Sequence, residues 1–170
     1  PRFGKTLTTY DFIRQVKATN VLIVTNRPAI ANSWLDDFKK FISWQEPDMK
    51  FVSETDALNG KALTRQEYRE FLNNTKSENP TLITFISLQD LKGAKFAGGV
   101  YEKLEWVGEL SWDLLVIDEA HEGVDTLKTD TAFNKINKRF TLHLSGTPFK
   151  ALANIFNLLS SANIGIFAST

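Results

Sequence analysis

Trp112-Asp113-Leu114-Leu115-Val116-Ile117-Asp118-Glu119-Ala120-His121 is the stretch on which the fold turns. Its opening residues make a short apolar run rich in Leu, Val and Ile, the pattern of a parallel strand buried on both faces. The run then stops at two carboxylates. Open α/β sheets bind ligands beyond the carboxyl ends of their strands. A carboxylate placed there is costly without a partner, and a hydrated divalent cation is a natural one. Alone, an acidic strand end reads equally well as a solvated turn. Gly4-Lys5-Thr6 shifts the balance, because it supplies the other half of a nucleotide site.

Working outward, short apolar runs alternate with helical periodicity, which predicts an α/β layer fold with a mainly parallel sheet and helices on both faces. Leu7, Tyr10, Ile13 and Val16 recur at helical spacing after the Gly-Lys-Thr triplet. Residues 21–25 read as a strand. Pro28 suits a first helical turn, and Ile30, Trp34, Phe38, Phe41 and Ile42 form the stripe of the helix behind it. Phe51-Val52 suggests a short strand, followed by a polar loop over 53–61. Thr64 and Glu67 form a capping box, with Leu63 placed to staple onto Tyr68; that helix should run to about Leu72. A strand is expected over 81–86 and a helix over 100–107. Phe133, Ile136 and Asn137 predict a helix after the acidic motif, and residues 139–144 a last strand. A helix over 149–159 and a small, apolar tail follow, so the chain reads as one domain truncated at both ends.

Composition narrows the classes. With 170 residues the chain suits one domain, and a domain of this size buries about 70% of its unfolded surface. Lys+Arg 20 balances Asp+Glu 20, so the overall field makes no case for or against nucleic acid. Cys 0 excludes disulfides and thiolate metal sites and fits a reducing, cytoplasmic setting. No apolar run approaches a membrane span and no secretory leader is evident. Asn73-Asn74-Thr75 matches a glycosylation sequon, but a polar loop is the simpler reading.

A phosphate-binding loop needs converging backbone N–H groups, a lysine and a metal-binding hydroxyl. Pro1-Arg2-Phe3-Gly4-Lys5-Thr6 holds the second half of that pattern at the start of a helix, where anions are favoured. Lys5 would reach the outer phosphates of a nucleotide, which the resemblance drawn below implies to be ATP. Thr6 and Asp118 would hold Mg2+, and Glu119 would orient and deprotonate the attacking water. For Glu119 the competing reading is a supporting charge with no catalytic role.

The set resembles superfamily 2 helicases and translocases, whose first RecA-like domain carries such motifs in this order. Arg2-Phe3-Gly4-Lys5-Thr6 looks like motif I and Thr25-Asn26-Arg27-Pro28 like motif Ia. Thr84-Phe85-Ile86-Ser87-Leu88-Gln89 resembles the next strand-end motif, Asp118-Glu119-Ala120-His121 motif II, and Ser145-Gly146-Thr147 motif III. The likeness runs to about Lys150 and is similar to restriction-enzyme motor subunits. It implies a RecA-like P-loop domain lacking the strand before its phosphate loop, which would lie beside the motif III strand. It also implies DNA contacts at Thr25, Asn26, Arg27, Ser87 and Gln89, and coupling of nucleotide to DNA through His121, Ser145, Gly146 and Thr147. Duplex DNA is the expected track rather than RNA. Expected partners are a second RecA-like domain and nuclease or methyltransferase domains or subunits, with no membrane. The isolated chain is expected to be inactive.

Competing readings remain in view. Thr25 to Arg27 can be no more than a helix-capping turn, and Lys135, Lys138 and Arg139 a solvated helix face. His143 reads as a paired strand residue. Trp34, Trp106 and Trp112 have the chemistry to stack bases, yet their spacing favours core packing. A non-motor P-loop ATPase and a non-catalytic scaffold are the alternative functions.

Overall fold

A computed structural model describes residues 2–118 and 126–144. The expected helix over 149–159 therefore lies outside the described residues. Among the described residues, five strands form one parallel sheet: β1 (Asn20–Thr25), β2 (Met49–Val52), β3 (Thr81–Ser87), β4 (Ser111–Asp118) and β5 (Asn137–Leu144). Their order is β2-β3-β1-β4-β5. The two longest apolar runs, β1 and β4, are therefore neighbours inside the sheet, where both of their faces are buried.

Alternation along the strands sends side chains into two cores. Val21, Ile23, Leu114 and Val116 pack in one cluster with Tyr10 and Trp34. That face is covered by α1 (Arg2–Val16) and α2 (Ala31–Asp37). A 3-10 turn, Pro28–Ile30, leads into α2, and a five-residue π-helical turn, Phe38–Ile42, continues it. Leu22, Val24, Leu115 and Ile117 point to the opposite cluster. Its cover comes from α3 (Arg65–Asn74), α4 (Leu88–Gly93), α5 (Glu105–Glu109) and α6 (Thr126–Asn134). Among the described residues, β5 pairs only with β4.

The predicted capping box is present: Glu67 N–H donates to Thr64 Oγ1 at 3.1 Å, and Thr64 N–H to Glu67 Oε1 at 3.0 Å. The stripe on α1 is displaced from its predicted line. Thr6, Tyr10 and Ile13 are buried, whereas Val16 is exposed.

Three expectations give way to contacts that close across turns. Instead of a helix over 100–107, only Glu105–Glu109 is helical. Tyr101 N–H donates to Gly93 O at 2.8 Å and Tyr101 O accepts from Lys95 N–H at 2.7 Å. These bonds draw residue 101 into a bridge with Ala94. The close approach requires Gly99, where a Cβ would come within 2.2 Å of the Gly93 backbone. The helix after the acidic motif ends at Asn134; Ile136 is buried in the following turn and Asn137 opens β5. Lys135, Lys138 and Arg139 consequently share no helix face. Lys138 is half-buried, and its ammonium donates to Phe133 O at 2.9 Å, closing the end of α6. Burial lowers its pKa.

Asp113, inside the apolar run, has a structural task. Its Oδ2 accepts from Thr19 N–H and Thr19 Oγ1, each at 2.7 Å, tying the entrance of β1 to β4. Burial alone would raise the Asp113 pKa. The bonds from Thr19 and Asn20, with the Arg139 charge, outweigh it and hold the carboxyl below its ordinary value. The folded value thus lies below the unfolded one, near 4. Its stabilisation is complete above the unfolded value and is lost as pH falls through the folded one. Asp113→Ala should lower unfolding free energy by about 1–2 kcal/mol at neutral pH. In urea titrations that deficit should narrow in acid; a deficit independent of pH would contradict the assignment.

Candidate functional site

Gly4, Lys5 and Thr6 occupy the first turns of α1, with Arg2 and Phe3 ahead of them. The opening N–H groups of a helix have no partner within it and carry its positive end. Thr6 is buried at 3% exposure, and Thr9 Oγ1 donates to Lys5 O at 2.8 Å, steadying this turn. Asp118 ends β4 and projects, like Leu114 and Val116, to the face that α1 and α2 cover.

Lys5 and Asp118 meet there. Lys5 Nζ donates to Asp118 Oδ1 at 2.8 Å, although 113 positions separate the two residues. The lysine side chain is 12% exposed and the aspartate 1%. So complete a burial would be costly for a carboxylate without compensation. The second oxygen is engaged as well: Trp34 Nε1 donates to Asp118 Oδ2 at 3.1 Å. Trp34 is itself anchored, since Tyr10 Oη donates to its carbonyl at 2.6 Å and the two rings meet edge to face. Complete burial raises the Tyr10 pKa, with Asp37 adding to the effect, so the phenol stays a neutral donor. Three elements, α1, α2 and β4, thus converge on one carboxylate.

The strand register places other candidates beside it. Thr25 pairs with Ser87 on one side and Asp118 on the other, and Asp118 pairs with Leu144. Ser87, Thr25, Asp118 and Leu144 form a single row across the carboxyl edge of the sheet. Thr25 and Ser87 do not offer their hydroxyls outward. Thr25 is fully buried and accepts from Arg27 N–H at 3.1 Å, shaping the turn into α2. Ser87 Oγ accepts from Asp90 N–H at 3.0 Å and caps α4. Gln89 is exposed, and Asn26 and Arg27 are partly so. Glu119, His121, Ser145, Gly146 and Thr147 lie outside the described residues. His143 sits on β5 opposite Ile117, a paired strand residue as expected.

Trp34 and Trp112 are core residues, at 1% and 0% exposure. The contact of Trp34 with Asp118 was not evident in the sequence. A buried indole N–H needs an acceptor, and that requirement was the available signal.

Residues 3–150 match the family described as type III restriction enzyme, res subunit. The chain belongs to this family. It is also 28% identical over 143 residues to a putative type II restriction enzyme and methyltransferase of Mycoplasma pneumoniae. That match takes in 81% of this chain and 18% of the relative's length. In fold, the res-subunit domain is similar to the UvsW helicase of bacteriophage T4, with a TM-score of 0.50 and 16% identity. That similarity covers 98% of this chain and 51% of the helicase. The parallel sheet covered on both faces is the RecA-like arrangement, the fold that the res-subunit chain shares with that helicase.

The ion pair generates a quantitative expectation. A double-mutant cycle of Lys5→Met and Asp118→Asn, measured by urea unfolding without nucleotide, should give a coupling of about 1–3 kcal/mol. Additive effects would mean that the two groups do not meet in solution.

Proposed function

We propose that this domain is the ATP-binding half of a motor that couples ATP hydrolysis to movement on duplex DNA in a restriction-modification system. One observation carries the reading: the Lys5 ammonium and the Asp118 carboxylate occupy one place at the carboxyl edge of a parallel sheet. The family membership supports it.

The donor set fits a magnesium–triphosphate ligand. Magnesium is usually bound by one or two carboxylates, with water and phosphate oxygens completing its shell. Asp118, with Thr6 as the second ligand, would supply such a sparse oxygen set. Among the described residues no cluster of three or more His, Cys, Asp or Glu groups offers an all-protein cage. Bound magnesium would neutralise charge on the phosphate oxygens. Lys5 would exchange its bond with Asp118 for the outer phosphates, and the N–H groups of the opening turn of α1 would face phosphate oxygens. Glu119 would orient the attacking water and take its proton.

A second RecA-like domain, elsewhere in the intact protein, would close over the nucleotide and supply an arginine. Such arginines contribute about 10³–10⁵ in rate in related phosphoryl transfers. His121, Ser145, Gly146 and Thr147 would relay nucleotide occupancy to the DNA-facing edge. There Asn26, Arg27 and Gln89 would contact backbone phosphates, with Thr25 and Ser87 shaping the turns that present them.

In the intact protein, Lys5→Ala and Glu119→Gln should each abolish ATP-dependent translocation, followed by displacement of a triplex-forming strand from duplex DNA. The 170-residue chain alone should turn over ATP feebly or not at all. Translocation unchanged by both substitutions would sink the motor reading and leave a scaffold role.

A further inference from the structure

Trp34 stands on the apolar stripe of α2, yet its one polar atom is aimed at the least exposed carboxylate among the described residues. We infer that Trp34 is a positioning residue for Asp118, fixing which carboxylate oxygen faces the cation site. The inference rests on the nucleotide-site reading above and deepens it.

A carboxylate at the end of an aspartate turns about a soft, roughly two-fold torsion. Without the indole bond, Oδ2 would be freer to turn toward the ammonium alongside Oδ1. Such a chelated pair would be slower to release Lys5 to phosphate and would present neither oxygen cleanly to a metal. The indole removes that freedom by keeping Oδ2 at 3.1 Å while Lys5 holds Oδ1 at 2.8 Å. The indole is in turn hard to displace. The Tyr10 hydroxyl holds its main-chain carbonyl, and the Tyr10 ring packs 5.5 Å from it at 84°. All three residues are buried, which keeps the Nε1–H donor away from bulk solvent. Groups that orient a metal-ligating residue in this way typically contribute 10–100-fold to metal affinity.

The test uses the intact protein and a fluorescent, non-hydrolysable ATP analogue, with binding followed as Mg2+ is varied. Trp34→Phe keeps the aromatic contact with Tyr10 and deletes the donor. It should raise the Mg2+ concentration for half-maximal binding by about 10-fold or more, while binding in the absence of metal stays near that of the wild type. Asp118→Asn should abolish the Mg2+ dependence. If Trp34→Phe folds and its Mg2+ midpoint is unmoved, while Asp118→Asn still removes the dependence, the inference fails and the nucleotide site stands. A Mg2+ dependence untouched by Asp118→Asn would overturn both. Should Trp34→Phe not fold, 3-benzothienylalanine at position 34 keeps the bicyclic shape without the N–H. The same shift in midpoint is expected, and an unmoved midpoint would show that Trp34 acts only through packing.

Discussion

The arrangement depends on neutralising one buried carboxylate. Asp118 ends an internal strand and is almost fully removed from water, a position that is tolerable only when both oxygens are occupied. One is taken by a lysine from the amino-terminal helix and the other by an indole from the helix after β1. Removing either partner leaves a desolvated charge partly uncompensated. The packing of α1 and α2 against the same face of the sheet is thus tied electrostatically, as well as through apolar contact, to the end of β4.

Much of this fold was legible because its signals are local. The β-branched runs in β1, β3 and β4 need both faces covered, and that alone points to a parallel sheet between helices. The Thr64–Glu67 cap was legible for the same reason, since both of its bonds close within four residues. Where the reading failed, backbone contacts that close across a turn decided the geometry. The 100–107 helix was lost to the contact of Gly99 with Gly93 and to the pairing of Tyr101 with Ala94. Lys138 looked like part of a helix surface because its acceptors, Phe133 O and Ile136 O, become available only once the helix has ended.

The site divides along the same line. Residue types and order set Lys5 and Asp118 at one place, because each reads as half of a nucleotide site; their direct ion pair appears only in the fold. The orientation of individual side chains was not encoded in that way. Thr25 and Ser87 have hydroxyls suited to phosphate, but local turn and cap bonds claim them first. Trp34 was hidden by its own company, because an indole on a stripe of Ile and Phe reads as packing material. Its N–H found a role only through strand adjacency.

The alignment of Ser87, Thr25, Asp118 and Leu144 has a mechanical consequence. Neighbouring strands sit about 4.8 Å apart and are locked by ladder bonds, so the spacing along this line resists stretching. The sheet rim therefore behaves as a stiff ruler on which the strand-end residues are marked at fixed intervals. Any displacement within the domain has to be made by the helices and turns mounted on that ruler, which keeps its own length throughout.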